Sequence, residues 1–132
     1  MDYKQTVEWL KSYKDMYYRL EFINNKMEGV KAISYTDEAP GTAVPKSIND
    51  YIQEKEEIER EMAKIKNAIN SLDNIRLRNI LSYKFIEFMN IRQIARTMHY
   101  SGKYIYELYN QGILQILKDM EKTEKIRDII VS

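Results

Sequence analysis

Cysteine is absent, histidine occurs once, and 132 residues hold only two prolines and four glycines. Without cysteine there is no disulfide and no thiolate metal site, and one histidine gives no basis for a histidine-bound zinc in a single chain. Long apolar runs are also missing. Nothing approaches the roughly 18 consecutive apolar residues of a membrane-spanning helix, and Met1 is followed by acidic and polar side chains rather than a secretory leader. The expectation is a cytoplasmic protein with no membrane partner and no cofactor. A Gly-rich phosphate loop, G-x-S-x-G, metal-ligand spacing and a nucleophile with a partner base are all missing too. Nothing therefore points to an enzyme, and no catalytic or metal-binding residue is nominated.

With 44% hydrophobic and 31% charged residues, the chain can bury one core or two small helical ones. The scarcity of helix breakers implies an all-α fold. Both prolines and two of the glycines fall between Gly29 and Pro45, so residues 30–45 read as a linker. On either side the apolar pattern is helical. Trp9, Tyr13, Met16, Leu20, Ile23 and Met27 recur at spacings of four and three, with Leu10, Tyr17 and Tyr18 widening the seam. Ile48, Tyr51, Ile58, Met62, Ile65, Ile69 and Leu72 form a second heptad-like seam, interrupted by Lys55. Residues 1–72 are thus a long helical pair, either a hairpin or an oligomerisation region. The linker is too long to fix the pairing, so an intramolecular antiparallel hairpin and a dimeric or swapped bundle both satisfy the pattern. The apolar width of the seams argues for a homodimer.

Residues 73–132 carry a different pattern. Ile91, Ile94, Ala95 and Met98 mark a short helix, and Ile105, Leu108, Ile113 and Ile116 mark a second, separated by His99-Tyr100-Ser101-Gly102. Ser101 suits the N-cap of the second helix, because its hydroxyl can accept a backbone N–H bond two or three residues on. Ala95 is small where the two helices would cross. The spacing is that of a helix-turn-helix, whose second helix presents an exposed face to a DNA major groove. Helices are expected near 2–28, 47–71, 74–87, 91–98 and 102–118. The apolar residues Met120, Ile126, Ile129 and Ile130 leave two options for the tail: the last helix continues, or residues 126–131 form a cap.

The runs Tyr83-Lys84-Phe85-Ile86-Glu87, Ile91-Arg92-Gln93-Ile94-Ala95, His99-Tyr100-Ser101 and Gly112-Ile113-Leu114-Gln115-Ile116 resemble sigma-factor region 4 in order and spacing. Its members read roughly L-R-Y-hydrophobic-E-G, E-I-A, G-Y-S and A-L-x-x-L. Upstream, Ala32-Ile33-Ser34, Ala39-Pro40-Gly41 and the charged helix from about Ser47 to Leu72 resemble phage regulators of the ArpU and RinA type. The resemblance covers nearly the whole chain and is most specific over its last third. It implies a transcriptional regulator of phage or prophage late genes in a bacterial cytoplasm, on the nucleoid when bound, with double-stranded DNA as partner and RNA polymerase as a second one. The chain departs from the family at Phe88-Met89 and at His99, where glycine is usual, which implies rebuilt turns.

The candidate DNA-contacting residues are Arg92, Arg96, Ser101, Lys103, Tyr104, Tyr106, Glu107, Asn110 and Gln111. Lys103 is the only basic residue near the start of the second helix, so the phosphate attraction that dominates affinity must come from elsewhere. Residues 73–118 supply seven Lys or Arg (Arg76, Arg78, Lys84, Arg92, Arg96, Lys103, Lys118) against three Asp or Glu, a local net of +4 in a chain of net +1. The weak charge of the recognition face keeps a second expectation open, a helix-turn-helix that docks on RNA polymerase or another regulator without reading DNA. The carboxylates of Glu54–Glu61 read as a solvated helical face. His99 reads as a turn residue, and at least half of the eleven tyrosines as packing residues with a polar tip.

Overall fold

The computed structural model describes residues 1–34 and 48–131. Over these the chain is all-α, with two long N-terminal helices. Helix α1 spans Tyr3–Ser34 and α2 spans Ile48–Asn70; α3 (Ile75–Leu81) opens into a π-type turn at Ser82–Ile86; α4 spans Ile91–Met98 and α5 spans Gly102–Val131.

Two expected boundaries fall short. The first helix passes residue 28 and Gly29 to reach Ser34, since one glycine, at about 1 kcal/mol, does not break a helix this long. The rest of the expected linker, residues 35–45, lies outside the described residues. The last helix does not end at 118 but runs on to Val131. No proline or glycine follows Gly112, and Gln115 Nε2 bonds Asp119 Oδ1 at 2.9 Å across one turn. The tail is a continuation, and residues 121–130 are exposed along it.

The chain packs as two units, residues 1–14 with 64–132, and residues 15–63. The first fourteen residues and 64–72 therefore pack with the helix-turn-helix, whereas the sequence pattern placed a boundary at 72. In the larger unit, reciprocal bonds between Asp2 and Gln5, at 2.8 and 2.9 Å, close the start of α1. Thr6, Leu10 and Tyr13 then form the buried stripe of its first turns, and Thr6 satisfies its hydroxyl on the Asp2 carbonyl at 2.7 Å. Leu10, not Trp9, is the core residue here. Trp9 is half-buried and lines a groove of about 510 Å³ with Ala68, Ile116 and Met120. The core is completed by Ile65, Ile69, Leu72, Leu77, Ile80, Leu81, Phe85, Ile94, Ile105, Leu108, Ile113 and Ile116.

In the smaller unit the two long helices associate within one chain. The Arg19 guanidinium makes four contacts of 2.9–3.2 Å with the Glu54 carboxylate, the two-pronged geometry that favours arginine over lysine. Ile23 is fully buried, while Tyr17, Tyr18, Phe22, Ile48 and Ile52 are exposed. Arg19 and Lys26 lie over the Phe22 ring at 4.8 and 5.5 Å.

Candidate nucleic-acid interface

The helix-turn-helix rests on local chemistry at each end of its short helix. Asn90 caps α4 by accepting the Gln93 N–H at 2.8 Å, and Gln93 Oε1 accepts the Asn90 N–H at 2.9 Å. This box holds a helix of eight residues that would not form alone. At its other end His99 is left-handed (φ 62°, ψ 40°), and the N–H groups of His99 and Tyr100 both reach the Ala95 carbonyl. A glycine-like turn is thus made by a histidine. Ser101 then accepts the Tyr104 N–H at 3.1 Å and starts α5, as the sequence suggests.

Packing fixes the second helix against the first and against α3. Ile94 and Ala95 are buried on α4, opposite Ile105, Leu108 and Ile113 on α5. Gly112 lies where α5 passes α3, and a Cβ there would stand 2.9 Å from Leu81 Cδ1. Phe85 and Tyr109 stack at 5.9 Å. Burial pushes the Tyr109 hydroxyl up to about 12, helped by Tyr3 and Tyr106 nearby.

The turn before α4 is built around Phe88. Glu87 N–H reaches the Ser82 carbonyl, the five-residue spacing of the π-type turn, and Met89 N–H reaches the Tyr83 carbonyl one residue wider. Phe88 itself has φ 60°. Its ring meets Tyr13 of α1 at 6.4 Å, and Lys14 Nζ lies 5.6 Å from its centroid. The Phe88 side chain therefore ties α1 to the helix-turn-helix.

Of the candidate residues, Arg92, Arg96, Ser101, Lys103, Tyr106, Glu107 and Gln111 are exposed. Lys103, Glu107 and Gln111 lie one turn apart on the outward side of α5. Tyr104 is half-buried, with its hydroxyl accepting from Arg76 Nη1 at 3.1 Å and its ring edge-on to Tyr100 at 5.0 Å. Asn110 is also half-buried, and Oδ1 accepts a short bond from the Tyr3 hydroxyl. Tyr106 stacks over Tyr109 at 6.1 Å while staying 55% exposed. The outward strip of α5 is thus bounded by Arg76 on one side and by α1 on the other.

The basic segment divides in the same way. Arg78 Nε bonds the Leu72 carbonyl at 3.0 Å and closes the connection into α3. Arg76 orients Tyr104, and Arg92, Arg96 and Lys103 stay exposed. Lys84 is half-buried, its ammonium held below the usual lysine range by burial and then by Lys11 and Lys14. Lys11 and Lys14 were not among the sequence candidates. Their signal was available in the recurrence of Lys4, Lys11 and Lys14 at spacings of seven and three, which puts all three on one edge of a helix.

Among the described residues no group of three His, Cys, Asp or Glu is placed to hold a metal ion, and no helix is long and apolar enough to cross a membrane. Compared with protein-family models, curated proteins and solved structures, the chain matches none.

Proposed function

We propose that this protein is a sequence-specific double-stranded-DNA-binding transcriptional regulator. The observation that carries the reading is the tight pair α4–α5. Its inner face is closed by Ile94, Ala95, Ile105 and Leu108, while its outer face presents Arg92, Arg96, Lys103, Glu107 and Gln111 to solvent. In this arrangement α5 enters the major groove with Lys103, Glu107 and Gln111 toward base edges, and Arg92 and Arg96 of α4 meet phosphates. Tyr104 is held in place at the start of α5 by Arg76 and Tyr100. The phage or prophage setting and the control of late genes rest on the sequence resemblance to ArpU- and RinA-type regulators.

The two sets of residues fail differently. Arg92→Ala with Arg96→Ala weakens binding to every duplex and lowers the slope of log affinity against log salt by up to about two units. Lys103→Ala or Glu107→Ala changes preference among sites, by about 1–3 kcal/mol on the favoured one, and leaves non-specific binding nearly unchanged. A wild-type chain with no salt-dependent duplex binding overturns the reading.

The second reading is a docking module that holds RNA polymerase or another regulator without reading DNA. Its support is the mixed character of the outer face, where Tyr106 and Leu114 are exposed beside a single lysine. Retention of RNA polymerase by a chain that fails to bind duplex favours it. The homodimer proposal now rests on the smaller unit, where Tyr18 and Phe22 remain exposed. Ile65 and Ile69 are already buried within one chain.

A further inference from the structure

We propose that the lysine edge of α1, formed by Lys4, Lys11 and Lys14, joins Lys84 of the π-type turn as a second phosphate-contacting surface, which holds a DNA backbone beside the helix-turn-helix. The inference rests on the DNA-binding reading above and adds an element outside the motif to the interface.

Placement is the first argument. Lys4, Lys11 and Lys14 are exposed and share one edge of α1. Tyr3, next to Lys4, bonds Asn110 on α5, and Lys14 lies over Phe88 in the turn that leads into α4. The edge therefore runs alongside the motif, from the recognition helix to the turn before its partner. Lys4 to Lys14 covers about 15 Å of helix at ~1.5 Å per residue, which matches four to five base pairs at about 3.4 Å each. A row of ammonium groups on that scale fits a repeating polyanion better than one small phosphate.

Charge is the second argument. Lys11, Lys14 and Lys84 are close enough that the first two disfavour the charged form of the third, after burial. The carboxylates nearest in sequence are Glu8 and Asp15, four residues after Lys4 and Lys11, and Glu87, three residues after Lys84. Among the described residues none of them pairs with any of the four lysines. Like charges held together with no carboxylate in ion-pair contact disfavour one another and are relieved by an anion, which releases bound counterions from DNA in exchange.

The test uses the full chain and compares wild type with the triple variant Lys4→Gln, Lys11→Gln and Lys14→Gln in salt titrations on random and preferred duplexes. The slope of log affinity against log salt should fall by up to about 2.7 units, at about 0.9 per phosphate contact, with site preference unchanged. Arginine at the same three positions should restore the slope. Lys122→Gln with Lys125→Gln, on the exposed end of α5, should leave it alone. A triple variant with the wild-type slope overturns this inference while the DNA-binding reading stands. No duplex binding by wild type overturns both. Tighter binding to duplex RNA or to anionic vesicles, lost in the triple variant while duplex DNA binding is kept, also overturns it. If the triple variant does not fold, Lys4→Gln and Lys11→Gln are measured singly, and each should lose about 0.9 unit of slope.

Discussion

His99 and Phe88 both hold positive φ, at 62° and 60°, yet their side chains make opposite cases. His99 is exposed in the turn, so His99→Gly removes left-handed strain and loses little contact. It should stabilise the fold by about 1 kcal/mol or less, part of the gain being offset by the freer unfolded chain. Phe88→Gly relieves the same strain but removes the ring from Tyr13 and Lys14, and should destabilise by about 1–2 kcal/mol. Urea midpoints at constant slope measure both; equal signs for the two changes would mean that the Phe88 ring does not anchor α1. Tyr109 gives a pH prediction. Its folded-state value lies near 12 against an ordinary 10, so the native state holds its proton longer than the unfolded chain does. The associated stability is fully present below about pH 10 and is lost as pH rises toward about 12. Tyr109→Phe should flatten that alkaline loss, read as urea midpoint against pH.

The elements of the motif are short or tightly spaced, so their ends and crossings set their stability. Helix α4 has eight residues and depends on its box. Asn90→Ala removes the Gln93 bond and should cost about 1 kcal/mol, with faster amide exchange in the first turn of α4 as a second readout. Gly112 marks the α3–α5 crossing, where Leu81 is fully buried and has little room to give. Alanine there gains up to about 1 kcal/mol of helix propensity but overpacks the core by about 1–3. The net expectation for Gly112→Ala is destabilisation by about 1 kcal/mol. A thermal midpoint at or above wild type would show that Leu81 repacks freely.

Across the molecule, the buried ends of the two long helices decide what self-association can mean. Ile65→Asp with Ile69→Asp places two charges in positions that are 0% exposed within one chain. The cost is several kcal/mol, and the expected outcome is loss of fold rather than a smaller folded species. Sedimentation and circular dichroism together separate the two. Tyr18→Ser with Phe22→Ser changes only exposed side chains and should leave the helices intact. If wild type self-associates, that variant should shift toward monomer; an unchanged oligomer would place the contact elsewhere.

Periodicity alone determined the all-α class, the existence of the two long helices and the positions of α4 and the start of α5. Ser101 as a cap was legible for the same reason, since it depends on neighbours within one turn. The resemblance implied rebuilt turns at Phe88 and His99, but neither their positive φ nor what compensates it was legible. That Phe88 reaches Tyr13, that Asn110 bonds Tyr3 and that Lys84 sits with Lys11 and Lys14 follow from contacts between residues far apart in sequence. A helical repeat specifies which face is apolar and is silent about which neighbour covers its edges. The first turns of α1, read as part of a separate N-terminal region, pack with the motif because Leu10 and Tyr13 bury their side chains in its core. Only that tertiary packing brings the lysines of α1 beside the helix-turn-helix, because charge on a helix edge acquires a location only when the opposite face is fixed against something else.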